Sequence, residues 1–307
     1  MTDVQAGPDA RELLRIAVNA ATEAGRLLAS WRGDGRPEVV QTKSSPTDVV
    51  TEMDRRSEAL ITGRIRSVRP GDAVLGEEGG QSDGAGAPGP GQGAAPSRVR
   101  WVIDPLDGTV NYLYGLRDWA VSIAAEVDGT VVAGVVEVPR AGERFIAVAG
   151  QGAWLYRDEA TDAPEAIDAP DQGIALHCNP GVPLGQALVG TGFGYEADRR
   201  QVQGEVVAAV LPHVRDIRRG GSAAVDLCSV AAGRLDAFYE RGLHAWDFAA
   251  GGLIAREAGA RVGGLDGRPA SESMTLAAGP DLYRQLDTFL CGLNPERDGQ
   301  HSEEWTG

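Results

Sequence analysis

The chain has 307 residues, 42% of them hydrophobic and 24% charged, which is typical of a soluble globular protein with room for a sizeable core. The formal net charge of −15 argues against nucleic acids and anionic membrane surfaces as general partners, because both repel an acidic protein. It also repels a phosphorylated small molecule unless a bound cation reverses its sign locally. The sequence shows no signal segment and no apolar run of membrane-spanning length, so we expect a cytoplasmic protein.

The pattern of the first half predicts two helices followed by a mainly antiparallel sheet. The predicted helices span 9–31 and 51–68, residues 33–46 form a loop or a loose hairpin, and the predicted strands span 73–76, 101–103, 119–127, 130–138, 144–148 and 153–156. Asp128-Gly129 joins the two longest strands and is the strongest local signal for a β-hairpin.

Residues 79–98 differ from their surroundings in composition. They contain seven Gly and three Pro and almost nothing apolar, so they cannot bury enough surface to offset the entropy of ordering. We expect a flexible surface loop within a domain, because strand-like segments resume on both sides.

The second half predicts short strands that alternate with helices, which is typical of a layered α/β fold. The predicted strands span 174–178, 188–191, 237–239 and 274–278, and the predicted helices span 201–210, 222–232, 247–258 and 281–290. An acidic segment with two prolines at 161–171 marks a subdomain boundary. We therefore expect one αβ subdomain over 1–165, a second over 166–293, and a flexible tail over 294–307.

The three cysteines, Cys178, Cys228 and Cys291, lack the spacing of zinc or redox motifs, and an odd number leaves at least one thiol free. Since each lies in or near an apolar run, we expect buried thiols in a reducing compartment.

The stretch 101–109 concentrates groups that bind metal and phosphate. It begins as a buried strand, which we expect to stop at Asp104 because Pro105 cannot donate to a ladder. Asp107 follows, and Gly108 permits a sharp turn before a helix start. Carboxylates suit Mg²⁺ and free backbone N–H groups suit phosphate, whereas the alternative is an Asp-rich surface turn.

Other acidic residues recur at predicted strand and helix ends, and each has a purely structural explanation. Asp54 follows Thr51 at capping-box spacing, and Asp247 suits the first turn of a helix. Glu77 and Glu78 suit a solvated turn. Sequence spacing alone does not bring these side chains together.

Segments spread over most of the chain resemble the inositol monophosphatase family. The most specific are Glu-Glu at 77–78, Trp-Val-Ile-Asp-Pro-Leu-Asp-Gly-Thr at 101–109 and Trp-Asp at 246–247. Weaker similarities lie at 43–54, 120–124, 134–136, 150–153, 191–195, 220–224 and 239–240. The resemblance implies an α/β protein with the layered αβαβα sugar-phosphatase fold of two αβ subdomains. It also implies a Mg²⁺-dependent, lithium-sensitive phosphomonoesterase that forms a homodimer.

The resemblance further implies a metal site made of oxygen ligands. Glu77, Asp104 and the backbone carbonyl of Leu106 would hold a first Mg²⁺. Asp104, Asp107 and Asp247 would hold a second, and a third, looser ion would lie near Glu77. Two cations neutralise a phosphate dianion, activate an attacking water and stabilise the leaving alkoxide without a covalent nucleophile. Accordingly, the sequence has no Gly-x-Ser-x-Gly element and no assignable Cys–His pair.

By the same resemblance, Thr109 and Asp54 would orient and activate the water, and Glu78 would support it. The N–H groups of Gly108 and Thr109 would hold the phosphate. Lys43 is a candidate for contact with the third ion or the phosphate, with a solvated surface lysine as the alternative.

Substrate recognition is implied for Asp107, the backbone of Ala223 and Glu240, since a carboxylate can accept hydrogen bonds from the vicinal hydroxyls of a polyol. The chain departs from many relatives at Tyr114, where His is common, and at Arg241, which could bind a second anionic group.

We therefore expect hydrolysis of an inositol monophosphate to inositol and phosphate. Alternatives with the same chemistry are histidinol phosphate, fructose 1,6-bisphosphate and a 3′-phosphoadenosine nucleotide. A non-catalytic sensor of a phosphorylated ligand is disfavoured, because every acidic position of the family's site is present.

Overall fold

Seven helices and fifteen strands make up the described part of the chain. The computed structural model describes residues 8–31, 39–42, 49–84, 98–157 and 173–297. The helices are α1 (Ala10–Trp31), α2 (Glu52–Val68), α3 (Thr109–Tyr114), α4 (Ala197–Val210), α5 (Ala223–Ala231), α6 (Ala245–Glu257) and α7 (Pro280–Leu293). The strands are β1 (Val39–Thr42), β2 (Val49–Thr51), β3 (Ala73–Gly76), β4 (Gly80–Ser82), β5 (Val99–Asp107), β6 (Ala120–Val127), β7 (Thr130–Val138), β8 (Glu143–Val148), β9 (Ala153–Arg157), β10 (Ile174–Ala175), β11 (Leu188–Thr191), β12 (Asp216–Arg218), β13 (Ala237–Glu240), β14 (Arg261–Gly263) and β15 (Thr275–Ala278). None of the described helices is both long and apolar enough to cross a bilayer.

Most of the strands belong to two sheets. The larger sheet has the order β10-β9-β8-β7-β6-β5-β3-β4, in which β3 and β5 pair in parallel and the other neighbours pair antiparallel. The smaller sheet has the order β12-β11-β13-β15-β14, in which β11 pairs in parallel with β12 and β13. Strands β1 and β2 form a separate antiparallel pair.

The helices cover these sheets in three layers. Helices α1 and α2 lie on one face of the larger sheet, where α1 contacts β6 and β7 and α2 contacts β5. Helices α5 and α6 lie between the sheets, since α6 contacts β6 and β7 while α5 contacts β13. Helices α4 and α7 share an apolar core with the outer face of the smaller sheet. The layers therefore alternate αβαβα, and the expected fold class is confirmed.

The first helix shows how an apolar stripe becomes a packing face. Leu13, Ala17, Val18 and Leu28 of α1 are fully buried and share a core with Trp101 of β5. Burying a large aliphatic side chain contributes about 1.5–3 kcal/mol, so this face holds α1 firmly on the sheet that carries the central motif.

Two close approaches set the depth of α6 between the sheets. A Cβ built on Gly134 of β7 would lie 3.1 Å from the Cα of Ala250, and one built on Gly251 would lie 2.9 Å from the Cβ of Leu227 in α5. A side chain at Gly251 would force α5 or α6 to shift, and one at Gly134 would press on the backbone of α6. Asp247 lies in the first turn of α6, so this packing also helps to position it.

The structure corrects several details of the predicted elements. Strand β5 does not stop at Asp104 but continues to Asp107, because a bulge against β6 leaves Pro105 outside the ladder, where its missing N–H has no consequence. Strand β4 lies within the predicted loop 79–98 and pairs with β3. The strand predicted over 174–178 is limited to Ile174–Ala175. Strands β12 and β14 were not anticipated, because three residues are too short to show alternation.

Two other expectations have a partial outcome. Cys178 and Cys228 are buried free thiols as expected, whereas the free thiol of Cys291 is partly exposed. The predicted subdomain boundary at 165/166 lies outside the described residues and stays a prediction.

Candidate active site

A left-handed glycine shapes the loop that follows β5. Gly108 has φ +88°, and a Cβ there would lie 3.0 Å from the carbonyl oxygen of Asp118 and 3.2 Å from that of Gly221. Both the backbone conformation and the lack of space therefore require glycine. The chain turns at this residue into α3, whose first residue is Thr109.

One cleft of about 460 Å³ is lined by Leu106 and by several carboxylates, among them the four predicted metal ligands Glu77, Asp104, Asp107 and Asp247. Burial, followed by the charges of Glu77, Asp107 and Asp247, raises the pKa of Asp104 well above its usual range. Burial and the charges of Asp107 and Glu77 also raise the pKa of Asp247 well above its usual range. Such a cluster of like charges is stabilised by bound cations, which would oppose these shifts.

Asp107 links the larger sheet to α5. Its Oδ2 accepts hydrogen bonds from the Ser222 hydroxyl at 2.6 Å and from the Ala224 N–H at 2.7 Å. Ser222 is also the N-cap of α5, since its hydroxyl accepts from the Val225 N–H. Burial raises the pKa of Asp107, and these donors oppose the increase.

Asp247 stabilises the start of α6 and also lines the cleft. Its Oδ2 accepts from the His244 N–H at 2.6 Å, which completes a capping box at the start of α6. The same residue lines the cleft opposite Asp104 and Glu77, whose charges act on one another. Capping therefore fixes the carboxylate without removing it from the site.

The donor chemistry of this set fits Mg²⁺. Asp104, Asp107 and Asp247 each have one oxygen held by a protein N–H or O–H, and a carboxylate retains further lone pairs for a cation. Across the described residues, no three Asp, Glu, His or Cys side chains already surround a single point as metal ligands. Mg²⁺ sites in proteins need few protein oxygens, because the ion binds through one or two carboxylates and keeps several waters.

The adjacent glutamates face different surroundings. Glu77 lines the cleft, and its N–H donates to the Ile103 carbonyl at 3.2 Å, which ties it to β5. Glu78 instead lines a neighbouring groove with Arg55 and Glu58. The structure thus places Glu77 with the other predicted ligands and Glu78 beside them, outside the cleft lining.

Thr109 and Asp54 are in contact although they are 55 residues apart. The Thr109 hydroxyl lies 3.0 Å from Oδ1 of Asp54 and 3.1 Å from the Leu106 carbonyl oxygen. Asp54 is 1% exposed, so its carboxylate is positioned by α2 and shielded from bulk water. The residues predicted to activate water are thereby next to the predicted carbonyl ligand.

The far side of the cleft carries Glu240 and Ala223, both predicted to contact substrate. Burial raises the pKa of Glu240 to about 8, with the charge of Asp226 adding to the shift and that of Arg219 opposing it. Arg219 lines the same cleft and escaped the sequence reasoning, because nothing in its local pattern distinguishes it from a surface arginine.

Two further candidates, Arg241 and Tyr114, do not join the centre of the site. Arg241 borders the cleft, but its guanidinium donates to the backbone carbonyls of Pro295 and Arg297. Tyr114 is 65% exposed at the end of α3. Lys43 lies outside the described residues.

Comparison with known proteins identifies related sequences. Residues 9–296 match the family model described as the inositol monophosphatase family. The inositol-1-monophosphatase SuhB of Mycobacterium tuberculosis (strain ATCC 25618 / H37Rv) is 47% identical over 294 residues, which cover 92% of this chain and 94% of that protein. The Nus factor SuhB of Escherichia coli (strain K12) is 37% identical over 257 residues, which cover 83% of this chain and 86% of that protein.

Solved structures show the same relationship. Mycobacterium tuberculosis SuhB superposes with a TM-score of 0.74 at 40% identity, covering 94% of this chain and 99% of that chain. A Thermotoga maritima IMPase superposes with a TM-score of 0.75 at 27% identity, covering 92% of this chain and 98% of that chain. The chain therefore belongs to the inositol monophosphatase family and is a phosphoric monoester hydrolase.

Proposed function

We propose that this hydrolase depends on Mg²⁺ and converts an inositol monophosphate to inositol and phosphate. The observation that carries the proposal is the cleft lined by Glu77, Asp104, Asp107 and Asp247, in which burial raises the pKa of each of the three aspartates. Their oxygens and the Leu106 carbonyl would hold two or three ions. When bound, Mg²⁺ neutralises the phosphate and stabilises charge on the leaving oxygen.

Thr109 and Asp54 would orient the attacking water. The Thr109 hydroxyl has one hydrogen, and Asp54 lies 3.0 Å away to accept it. The lone pairs of the Thr109 oxygen are then left to accept a hydrogen from the water and to aim its oxygen at phosphorus. As the Thr109 oxygen takes the proton that the water releases, its own hydroxyl proton passes to the buried Asp54 carboxylate, which acts as the general base.

The remaining contacts would fix the substrate. The N–H groups of Gly108 and Thr109 lie in the turn beside the carboxylates and would donate to phosphate oxygens. Glu240, Asp107 and the Ala223 backbone line the other side, where ring hydroxyls would bind. Arg241 gives no support to a bisphosphate substrate, since its guanidinium already donates to backbone carbonyls.

A substrate panel tests the proposal. Phosphate release is measured for inositol 1-phosphate, histidinol phosphate, fructose 1,6-bisphosphate and a 3′-phosphoadenosine nucleotide, each with Mg²⁺ and with EDTA. We expect the highest kcat/KM for inositol 1-phosphate and no release in EDTA. We also expect Thr109→Ala to lower kcat at least a hundredfold and Thr109→Ser to restore it. A higher kcat/KM for another substrate would replace the proposed one.

Three expectations about the wider setting stay predictions: the homodimer, the sensitivity to lithium and the cytoplasmic location. The absence of a nucleic-acid partner is also still a prediction. The net charge of −15 disfavours direct contact with nucleic acid, although relatives in Escherichia coli carry the name Nus factor. Sedimentation with and without RNA at low salt tests both the mass and the partner.

A further inference from the structure

One face of α2 touches two of the segments that carry predicted site residues, at 104–109 and at 76–79. Asp54, Ser57 and Glu58 are at the i, i+3 and i+4 positions that share a helix face. Asp54 accepts from Thr109, and the Ser57 hydroxyl donates to the Pro105 carbonyl at 2.8 Å, between two predicted ligands. Glu58 reaches the turn after β3.

Glu58 uses both carboxylate oxygens on that turn. Its Oε2 accepts from the Glu78 N–H at 2.8 Å, and its Oε1 accepts from the Gly79 N–H at 2.8 Å. Hydrogen bonds to an ionised acceptor are stronger than neutral ones, and two of them fix the orientation of successive peptide planes. These planes follow directly after Glu77, whose own N–H is bonded to β5.

The glycines that flank the two glutamates leave space for this carboxylate. A Cβ built on Gly76 would lie 2.5 Å from Oε2 of Glu58, and one built on Gly79 would lie 2.7 Å from Oε1. Neither glycine has a positive φ, so the backbone conformation does not require glycine at these positions. A side chain at either position would instead meet the Glu58 carboxylate, which would have to move aside.

We propose that Glu58 is a positioning residue that holds Glu77 ready to bind Mg²⁺. The inference rests on the proposed function, because it takes Glu77 as a metal ligand. Without the two hydrogen bonds to Glu58, the turn that carries Glu77 gains conformational freedom. Part of the binding free energy of the ion must then be used to order this turn. Loss of a group that orients a metal ligand typically weakens metal binding about 10–100-fold.

The test replaces Glu58 by Gln and measures Mg²⁺ binding directly by titration calorimetry, together with the rise of Tm with Mg²⁺ concentration. Glutamine keeps the size of the side chain, but it has one acceptor oxygen, and its NH₂ group opposes the second N–H. We expect the Kd for Mg²⁺ to rise about tenfold. At saturating Mg²⁺, kcat should stay within about threefold of wild type.

The matched control is Glu52→Gln on the same helix. Glu52 is exposed and pairs with Arg56 at 3.0 Å. The substitution removes the same charge without touching the turn at 76–79. We expect its Mg²⁺ Kd to equal that of the wild type.

A second pair of variants tests the contact itself. Gly79→Ala should displace the Glu58 carboxylate and weaken Mg²⁺ binding about as much as Glu58→Gln. Adding Gly79→Ala to Glu58→Ala should have no further effect, because Glu58 atoms are the ones that the new Cβ meets within 4 Å. Such non-additivity is the sign of a direct interaction.

The outcomes separate this inference from the function on which it rests. An unchanged Mg²⁺ Kd in Glu58→Gln, even with a lower Tm in EDTA, overturns the inference and leaves Glu58 a structural role. If Glu58→Gln does not fold, the Kd of Gly79→Ala decides in the same way. If the wild type itself binds no Mg²⁺, the proposed function fails first.

Discussion

Asp226 links the charge of the cleft to stability in a way that depends on pH. It lies in α5 and is 6% exposed. Burial raises its pKa from 3.8 to about 8, with the charge of Asp107 adding to the shift and that of Arg219 opposing it. In the unfolded chain the carboxyl group returns to its ordinary pKa near 4.

The sign of the effect follows from these two values. Between about pH 4 and pH 8 the folded state keeps a proton that the unfolded state releases, so stability falls as pH rises through this window. Outside the window the two states are protonated alike and the dependence ends. A shift of about four pKa units corresponds to a decrease in the free energy of unfolding on the order of 5 kcal/mol across this window. Asp226→Asn removes the titrating group at nearly constant shape. At pH 8 its free energy of unfolding should therefore exceed that of the wild type by most of this amount.

Urea unfolding in EDTA at pH 5, 6, 7 and 8 measures the effect. The free energy of unfolding of Asp226→Asn should diverge from that of wild type as pH rises. Asp128→Asn is the control, because Asp128 is exposed and Arg98 lowers its pKa. Between pH 5 and pH 8, the free energy of unfolding of Asp128→Asn should not rise relative to that of the wild type. A constant offset between Asp226→Asn and wild type at all four pH values would refute the reasoning.

The other predictions concern the site and the neighbouring loop. Asp104→Asn should abolish phosphate release and raise Tm in EDTA, because it removes one of four mutually repelling carboxylates; release near the wild-type rate would show that Asp104 is no ligand. Glu240→Gln should weaken transition-state binding of inositol 1-phosphate by about 1–3 kcal/mol and spare an aryl phosphate, and an equal loss on both would contradict a role in recognising hydroxyls. Arg241→Ala should leave the KM for fructose 1,6-bisphosphate unchanged, since its guanidinium contacts backbone carbonyls, and a higher KM would reveal a second phosphate site. Replacing residues 85–96 by a short Gly/Ser link, which keeps β4, should change the free energy of unfolding by less than about 1 kcal/mol in urea titrations.

The elements that can be predicted from the sequence are those with a strong local pattern. Helices α1 and α2 and the β6–β7 hairpin begin and end within one residue of their predicted bounds, because apolar periodicity and Asp128-Gly129 are local signals. Strands β12 and β14 have no such signal, since they exist because a neighbouring strand offers an edge. The path of β5 through Pro105 depends on a bulge that only pairing with β6 reveals.

The same distinction between local sequence signals and tertiary contacts applies to the site. The carboxylates of the central motif are recognisable from residue type and order, and the resemblance supplies Glu77 and Asp247 as their partners. The contacts that hold them are tertiary: Ser222 on Asp107, and Glu58 on the turn after Glu77. Nothing in the spacing of these residues indicates that they meet, because each pair is joined by the packing of a helix on a sheet.

The four carboxylates are proposed to act through Mg²⁺ on an inositol phosphate. The most direct measurement is phosphate release from inositol 1-phosphate by the wild-type protein after treatment with EDTA, before and after Mg²⁺ is restored. We predict no release in EDTA and full recovery on addition of Mg²⁺, with half-maximal activity at the Mg²⁺ concentration that half-saturates binding. Undiminished release in EDTA, or none with Mg²⁺ present, would contradict the account.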